Sequence, residues 1–468
     1  MPSSSRGTPD SLHASGGAET REDVPLKARH AGARCPAGPR LILAAFAALS
    51  AAITLALLTQ IYYGDYELVP HGSVSSSAAA CSRAGTDALK AGGRALDAAA
   101  AAALCLAVLA PHRTSLDAYA PVPLASIPPP SGALLYWEYR NARTQPAALF
   151  EWGDAPAPGA RPPRLVAALA TLHAQLGALP WQQLLMPTIQ LAKDGFQVSE
   201  GLAAAAAAAG DASYQAGALA AAPAVAAYLS GLLANTSAEL SAAWGGAAGV
   251  RRGAAQAARA GAWRALAAPR AAPALRALAH ALQPPPASPD DAQRRALEWL
   301  QGEARAGTLA PRGVATGLAA VDQYDTYVAL VTGTSVAFGS GPLAAAGWLR
   351  DEPPAPLDLA PAFLLDDAVC GTRYVVGAES ASALAQAAAA LVTDGAPGAV
   401  ERARADVLPG GALALQAGRP APARLALPAP APPRNATPPH AAVNLVQQRA
   451  DALASHADSR GGGLASRF

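Results

Sequence analysis

The chain has 468 residues, more than one small domain needs, and 52% of them are hydrophobic, with alanine supplying much of that share. So small a side chain buries little area, so the core it builds is shallow per residue. Basic and acidic residues number 35 and 33, a net charge of +2, so composition points to no nucleic-acid surface.

Residues 1–40 are polar and contain Gly, Pro and Ser, which reads as a disordered cytoplasmic tail. The next segment, 41–63 ("LILAAFAALSAAITLALLTQIYY"), carries no charge. About 20 apolar residues cross a bilayer as a helix, so a single transmembrane signal anchor is expected here. A cleaved signal peptide would have a shorter apolar stretch nearer the start, and a buried hairpin is the other alternative. Lys27, Arg29, Arg34 and Arg40 precede the segment, and Asp65 and Glu67 follow it. Basic flanks stay cytoplasmic, which predicts a type II protein with its ectodomain extracellular or luminal. Tyr62 and Tyr63 suit the membrane interface. Two sequons fit that side: Asn235-Thr236-Ser237 and Asn435-Ala436-Thr437, the second followed by Pro438. Disulfides are permitted there.

Beyond the anchor, 82–110 contains a Gly92-Gly93 break and then an apolar run that reads as a buried helix, with Asp97 in its first turn. A second helix is predicted from Leu165 to about Leu176. In 179–203 the apolar residues Leu184, Leu185, Ile189 and Leu191 recur at helical spacing, and Pro187 is expected to interrupt that helix or start the next. Residues 203–275 are alanine-rich and carry little pattern, and 283–289 ("QPPPASP") read as a linker. Over 318–338 the period becomes strand-like, with Val328, Leu330 and Thr332 alternating against Ala329, Val331 and Gly333. Residues 373–392 read as strand, turn and helix; 408–434 are Pro/Ala-rich. Helices followed by strands and then mixed elements indicate a layered α+β or α/β fold. The four cysteines, Cys35, Cys81, Cys105 and Cys370, show no metal-ligand spacing, and no phosphate loop is present, so no metal and no cofactor are expected. His71 and His112 stand alone and read as structural, and Asp366-Asp367 reads as a solvated turn.

Five collinear blocks resemble the gamma-glutamyltranspeptidases, or glutathione hydrolases: "GGRALDAAAAAALCLAVLAPH" (92–112), "LPWQQLLMPTIQLAKDGFQVSEGLA" (179–203), "LAAVDQYDTYVALVTGTSVAFGSG" (318–341), "RYVVGAESAS" (373–382) and "ADSRGGG" (457–463). The anchor and "TQIYYGDYELVPHG" (59–72) point to their membrane-anchored type-7 branch. The resemblance implies an α+β fold, a four-layer αββα sandwich of the N-terminal-nucleophile hydrolase type. It also implies a heavy-subunit-like region over 64–314 and a light-subunit-like region over 315–468. In that family the precursor cuts itself, and the new N-terminal threonine attacks a gamma-glutamyl amide with its own amine as base. The gamma-glutamyl group of glutathione passes to water or another amine. Cys81 and Cys105 fall where animal members close a disulfide.

Alignment on Leu318 and Val321 places Ala315 at the nucleophile, Thr316 one residue late, Gly317 at a histidine and Ala319 at a serine. Alanine has no atom to attack with, and a strand residue shifted by one points to the opposite face. The paired oxyanion glycines fall at Ser380 and Ala381, and the double serine that grips the substrate carboxylate at Leu357 and Asp358. The substrate-pairing arginine falls at Trp152, with Arg143 of "NART" as the other candidate. Asp351 and Glu352 are candidates for the amino-group site. The expected reading is a membrane protein with a degenerate catalytic site that acts by binding, a gamma-glutamyl peptide being one candidate ligand. The alternatives are an active enzyme using Thr316 after self-cleavage, and a chain lacking coding segments around 204–290 or 341–360.

Overall fold

The computed structural model describes residues 37–63, 71–118, 131–141, 146–153, 162–309, 313–351, 357–368, 370–416 and 434–468. The chain divides into two compact units, Met1–Glu67 and Leu68–Phe468.

The first unit contains one described element, helix α1 (Ala37–Tyr63). Its stretch Pro39–Gln60 is uncharged apart from Arg40, has a mean hydropathy of 2.5 and is not buried against protein. Its length and composition suffice to cross a membrane. The expected cytoplasmic flank at Lys27, Arg29 and Arg34 lies outside the described residues.

The second unit opens with strand β1 (Ser73–Ser76) and a helical hairpin of α2 (Ala79–Lys90) and α3 (Ala95–Leu109). Gly92-Gly93 make the turn, and Asp97 fixes where α3 starts. Its carboxylate accepts the Arg94 N–H at 2.8 Å and reaches out to the Ala178 N–H at 3.0 Å. A disulfide joins Cys81 of α2 to Cys105 of α3. Strands β2 (Gly132–Glu138) and β3 (Ala148–Trp152) follow, then helices α4 (Arg164–Leu176), α5 (Trp181–Asp194), α6 (Glu200–Ala208), α7 (Pro223–Gly231) and α8 (Ser237–Ala243). Pro187 neither ends nor begins a helix: α5 runs straight through it. Proline removes one backbone hydrogen bond, and the burial of Leu184, Leu185 and Ile189 on both sides of it keeps the segment helical.

The pattern-poor region 203–275 contains three five-residue strands besides its helices: β4 (Val250–Ala254), β5 (Gln256–Ala260) and β6 (Trp263–Ala267). Helices α9 (Ala272–Ala281) and α10 (Pro289–Arg305) flank the 283–289 linker. After them come β7 (Val314–Val321), β8 (Thr326–Thr334), β9 (Ala360–Asp366), β10 (Arg373–Ala378), helix α11 (Ala381–Asp394), β11 (Val443–Arg449), β12 (Ala452–His456) and β13 (Ser466–Arg467).

Among the described residues the strands form two large sheets. One has the order β13-β1-β7-β8-β2-β3-β4, the other β12-β11-β10-β9-β6-β5. Leu96, Leu104, Trp181 and Val328 share a core between the first sheet and the helices α2–α8. Leu275, Leu300, Tyr374 and Leu391 join the second sheet to α9–α11. Leu135, Tyr327, Phe363 and Val446 pack between the sheets. The result is the four-layer αββα sandwich of the N-terminal-nucleophile hydrolase type. Both sheets take strands from both sides of residue 315, so the heavy- and light-like regions are interleaved within one compact unit.

Candidate active site at the start of strand β7

The two sheets touch where β7 passes β10. A Cβ on Gly317 would stand 2.4 Å from the Gly377 carbonyl oxygen, and one on Gly377 would stand 2.5 Å from the Leu318 nitrogen. Only glycine permits this approach, and it sets the depth of everything beside it. Asn444 of β11 braces the crossing by donating its side-chain amide to the Gly317 carbonyl (2.7 Å) and to Ser77 (2.9 Å).

Side chains alternate along β7. Ala315, Ala319 and Val321 pack between the sheets, whereas Leu318 and Ala320 pack toward the helices. Thr316 therefore shares the helix-facing side with Leu318. It is fully buried, lies opposite Thr332 of β8, and its hydroxyl finds no hydrogen-bond partner among the described residues. Thr332 bonds to Thr114 instead, at 3.2 Å.

Over Ala315 lies a buried ion pair. Arg113 puts Nη1 2.7 Å from Glu379 Oε2 and 3.3 Å from the Ala315 carbonyl oxygen. Its Nη2 donates to the carbonyls of Arg460 (2.9 Å) and His440 (3.2 Å). Glu379 also accepts the Ala442 N–H at 2.7 Å and the Ser77 hydroxyl at 3.3 Å. Burial pushes the Glu379 carboxyl upward; the Arg113 guanidinium and the Ala442 N–H only partly offset it. The space enclosed by Arg113, Ala315, Glu379 and Ala441 has no room for a water molecule.

The neighbouring amides are also taken. Ser380 caps α11, its hydroxyl accepting the Ala383 N–H at 3.1 Å. The Ala381 N–H donates to Asp358 Oδ2 at 2.9 Å. A helix N-terminus favours an anion, and here the chain's own carboxylate fills that place.

The gamma-glutamyltranspeptidase family model matches residues 153–229. Human glutathione hydrolase 7 is 35% identical over 196 residues, which is 40% of this chain and 29% of the human protein. Bovine glutathione hydrolase 6 is 40% identical over 141 residues, 30% of this chain and 26% of the relative. Over these stretches the chain is similar to the gamma-glutamyltranspeptidases. The matched stretches span under a third of these relatives' own length. Among solved structures, the cephalosporin acylase from Bacillus halodurans superposes with a TM-score of 0.63 at 17% identity, covering 86% of this chain and 96% of the acylase, a likeness of fold.

Of the other residues singled out from the family pattern, Arg143 and Glu352 lie outside the described residues. Asp351 is fully buried and organises a loop: its carboxylate accepts the Ser335 N–H (2.7 Å), the Ser335 hydroxyl (2.6 Å) and the Ser340 N–H (3.0 Å). Trp152 is a core residue whose ring occupies the space a side chain on Gly132 would need. Leu357 packs between the sheets. Asn435 is exposed on a short strand, and Asn235 is half-buried before α8. Ser237, the hydroxyl residue of that sequon, is buried with its Oγ 2.7 Å from His173 Nδ1. The sequence reading did not single out Arg113 and Glu379 as partners. They stand 266 positions apart, and no local pattern joins them.

His112 adjoins this site. Burial, reinforced by the charge on Arg113, lowers its imidazole from the usual 6.5 to about 3. A histidine depressed in the folded state gives stability that is present above pH 6.5 and is lost as pH falls toward the folded value. Between pH 7 and pH 5 the wild type is expected to lose about 2 kcal/mol from this group, and His112→Gln to lose correspondingly less. Urea titrations at the two pH values measure the difference.

Proposed function

We propose that this chain is a single-pass, membrane-anchored member of the gamma-glutamyltranspeptidase family that keeps the scaffold and has lost the family's reaction. Cleavage of a gamma-glutamyl bond by this route needs a hydroxyl at the first position of the light-chain strand. Here Ala315 offers a methyl group, and the Arg113–Glu379 pair fills the volume a substrate would need. That occupied volume is the observation that carries the proposal. The Asp358 carboxylate on the Ala381 amide adds to it, since an oxyanion donor already engaged cannot serve a tetrahedral intermediate. Thr316 faces the helical layer and does not reach this space without turning β7 over. In this reading Ser380 and Ala381 are a helix cap, Asp351 is a loop anchor, and 64–314 and 315–468 stay one uncut polypeptide. The α1 segment anchors the chain with its N-terminus cytoplasmic, and the ectodomain carries glycan at Asn435 and Asn235.

The test uses the full-length chain in detergent. The expected result is a single band on a reducing gel and no release of aniline from a gamma-glutamyl anilide, with Thr316→Ala indistinguishable from wild type. Loss of the nucleophile in a covalent hydrolase costs about 10⁶ in kcat, so any residual rate lies below detection. A light chain starting at Thr316, with turnover abolished by Thr316→Ala, overturns the proposal in favour of an active hydrolase.

A further inference from the structure

A second cavity, of about 880 Å³, opens between the first turns of α2 and α6 and the turn at 459–462. Ala315, Asp358, Glu379, Ser380 and Ala381 do not line it; it is a separate space that borders the site above through Ser77, His112 and Arg460. Helix α2 starts after Ala78 with no side-chain cap, and the N–H groups of Ala79 and Ala80 have no hydrogen-bond partner among the described residues. In α6 the Ser199 hydroxyl accepts only the Leu202 N–H, which leaves those of Glu200 and Gly201 equally unpartnered. Two positive helix ends and four open amides thus meet at one space.

The inner wall supplies an independent sign of a ligand. His112 is 3% exposed, lines the cavity, and its Nδ1 has no hydrogen-bond partner. A Cβ on Gly201 would stand 3.7 Å from its Nε2, so the ring's other nitrogen looks toward the open first turn of α6. A buried ring nitrogen without a partner costs stability unless something joins it. At the rim, Arg83 is exposed and forms no ion pair among the described residues. Leu191, Phe196 and Val198 give the cavity an apolar flank, beside the polar Ser77, Gln197 and Arg460.

We propose that this cavity binds a small organic monocarboxylate, its head group held by the α2 and α6 amides, Arg83 and His112, its apolar tail along Leu191, Phe196 and Val198. The imidazole stays neutral there, so it contributes a hydrogen bond and not a charge. The Glu200 carboxylate on the same wall opposes a dianion, which favours carboxylate over phosphate.

Equilibrium dialysis of radiolabelled hexanoate against the full-length chain in detergent tests this. The expected result is saturable binding at one site per chain, displaced by acetate and not by hexanol. Arg83→Ala, an exposed residue whose loss leaves folding intact, weakens binding about tenfold, the effect of one charge-assisted hydrogen bond. His112→Phe weakens it as well. Uptake that does not saturate, unchanged affinity in Arg83→Ala, or displacement by inorganic phosphate at lower concentration than acetate overturns the assignment.

Discussion

Arg113→Ala lowers the free energy of unfolding by about 3–5 kcal/mol, because it strands a buried carboxylate. Glu379 is 4% exposed and would keep only the Ala442 N–H and the Ser77 hydroxyl as partners. The pH dependence separates this cause from lost packing. A carboxyl whose folded pKa lies above its unfolded value gives stability that is present below about pH 4.3 and is lost as pH rises through the folded pKa. Burial already pushes Glu379 that way, and without Arg113 the push is unopposed. The deficit of Arg113→Ala relative to wild type is therefore larger at pH 8 than at pH 5. Chemical denaturation at both values reads it directly. Arg113→Met combined with Glu379→Leu recovers most of the loss, since an apolar pair of similar volume carries no desolvation penalty. A deficit that is flat with pH would mean that Arg113 acts through packing alone.

This pair also marks the limit of what was legible beforehand. Periodicity exposes α5, where Leu184, Leu185, Ile189 and Leu191 recur at helical spacing, and β8, where Val328, Leu330 and Thr332 alternate against Ala329, Val331 and Gly333. It did not expose β4 to β6, where "VRRGA" and "QAARA" present alanine and arginine on edge strands with little buried surface to impose alternation. Local propensity alone makes Pro187 a boundary, because proline breaks isolated helices, whereas burial of Leu184 and Ile189 outweighs that local cost in α5. At the site, the bare methyl of Ala315 was readable from alignment on Leu318 and Val321. What replaced the chemistry was not, because Arg113, Asp358 and Glu379 meet only through the tertiary fold. Their side chains read locally as a turn, a carboxylate before a strand and a residue after one. The close approach of Gly317 to Gly377 belongs to the same class: each glycine makes sense only opposite the other.

Asp458→Asn carries the second large effect, again about 3–5 kcal/mol, now by stranding two cations. The carboxylate of Asp458 lies 2.5 Å from Arg404 Nη2 and 2.9 Å from Arg460 Nη1, and also accepts the N–H groups of Val443 (3.0 Å) and Arg460 (3.0 Å). Burial alone would raise its pKa, but Arg404 and Arg460 outweigh it and hold the group below the ordinary carboxylate range. A depressed carboxyl gives stability that is present above about pH 3.9 and is lost as pH falls below that value. The gap between wild type and Asp458→Asn is therefore full at pH 6 and narrows below pH 4; the Arg113→Ala deficit changes in the same direction but in a higher window, narrowing as Glu379 protonates and still widening between pH 5 and pH 8. The two sites also touch. Arg113 donates to the Arg460 carbonyl, and the Asp458 N–H donates to Asn444, the residue that braces Gly317. Substitutions that share such partners do not add. The double variant Arg113→Ala/Asp458→Asn is expected to lose at least 0.5 kcal/mol less than the two single losses combined. Strict additivity would show that the "ADSRGGG" turn and the ion pair over Ala315 are held independently, and that the closed site is not one cooperative polar cluster.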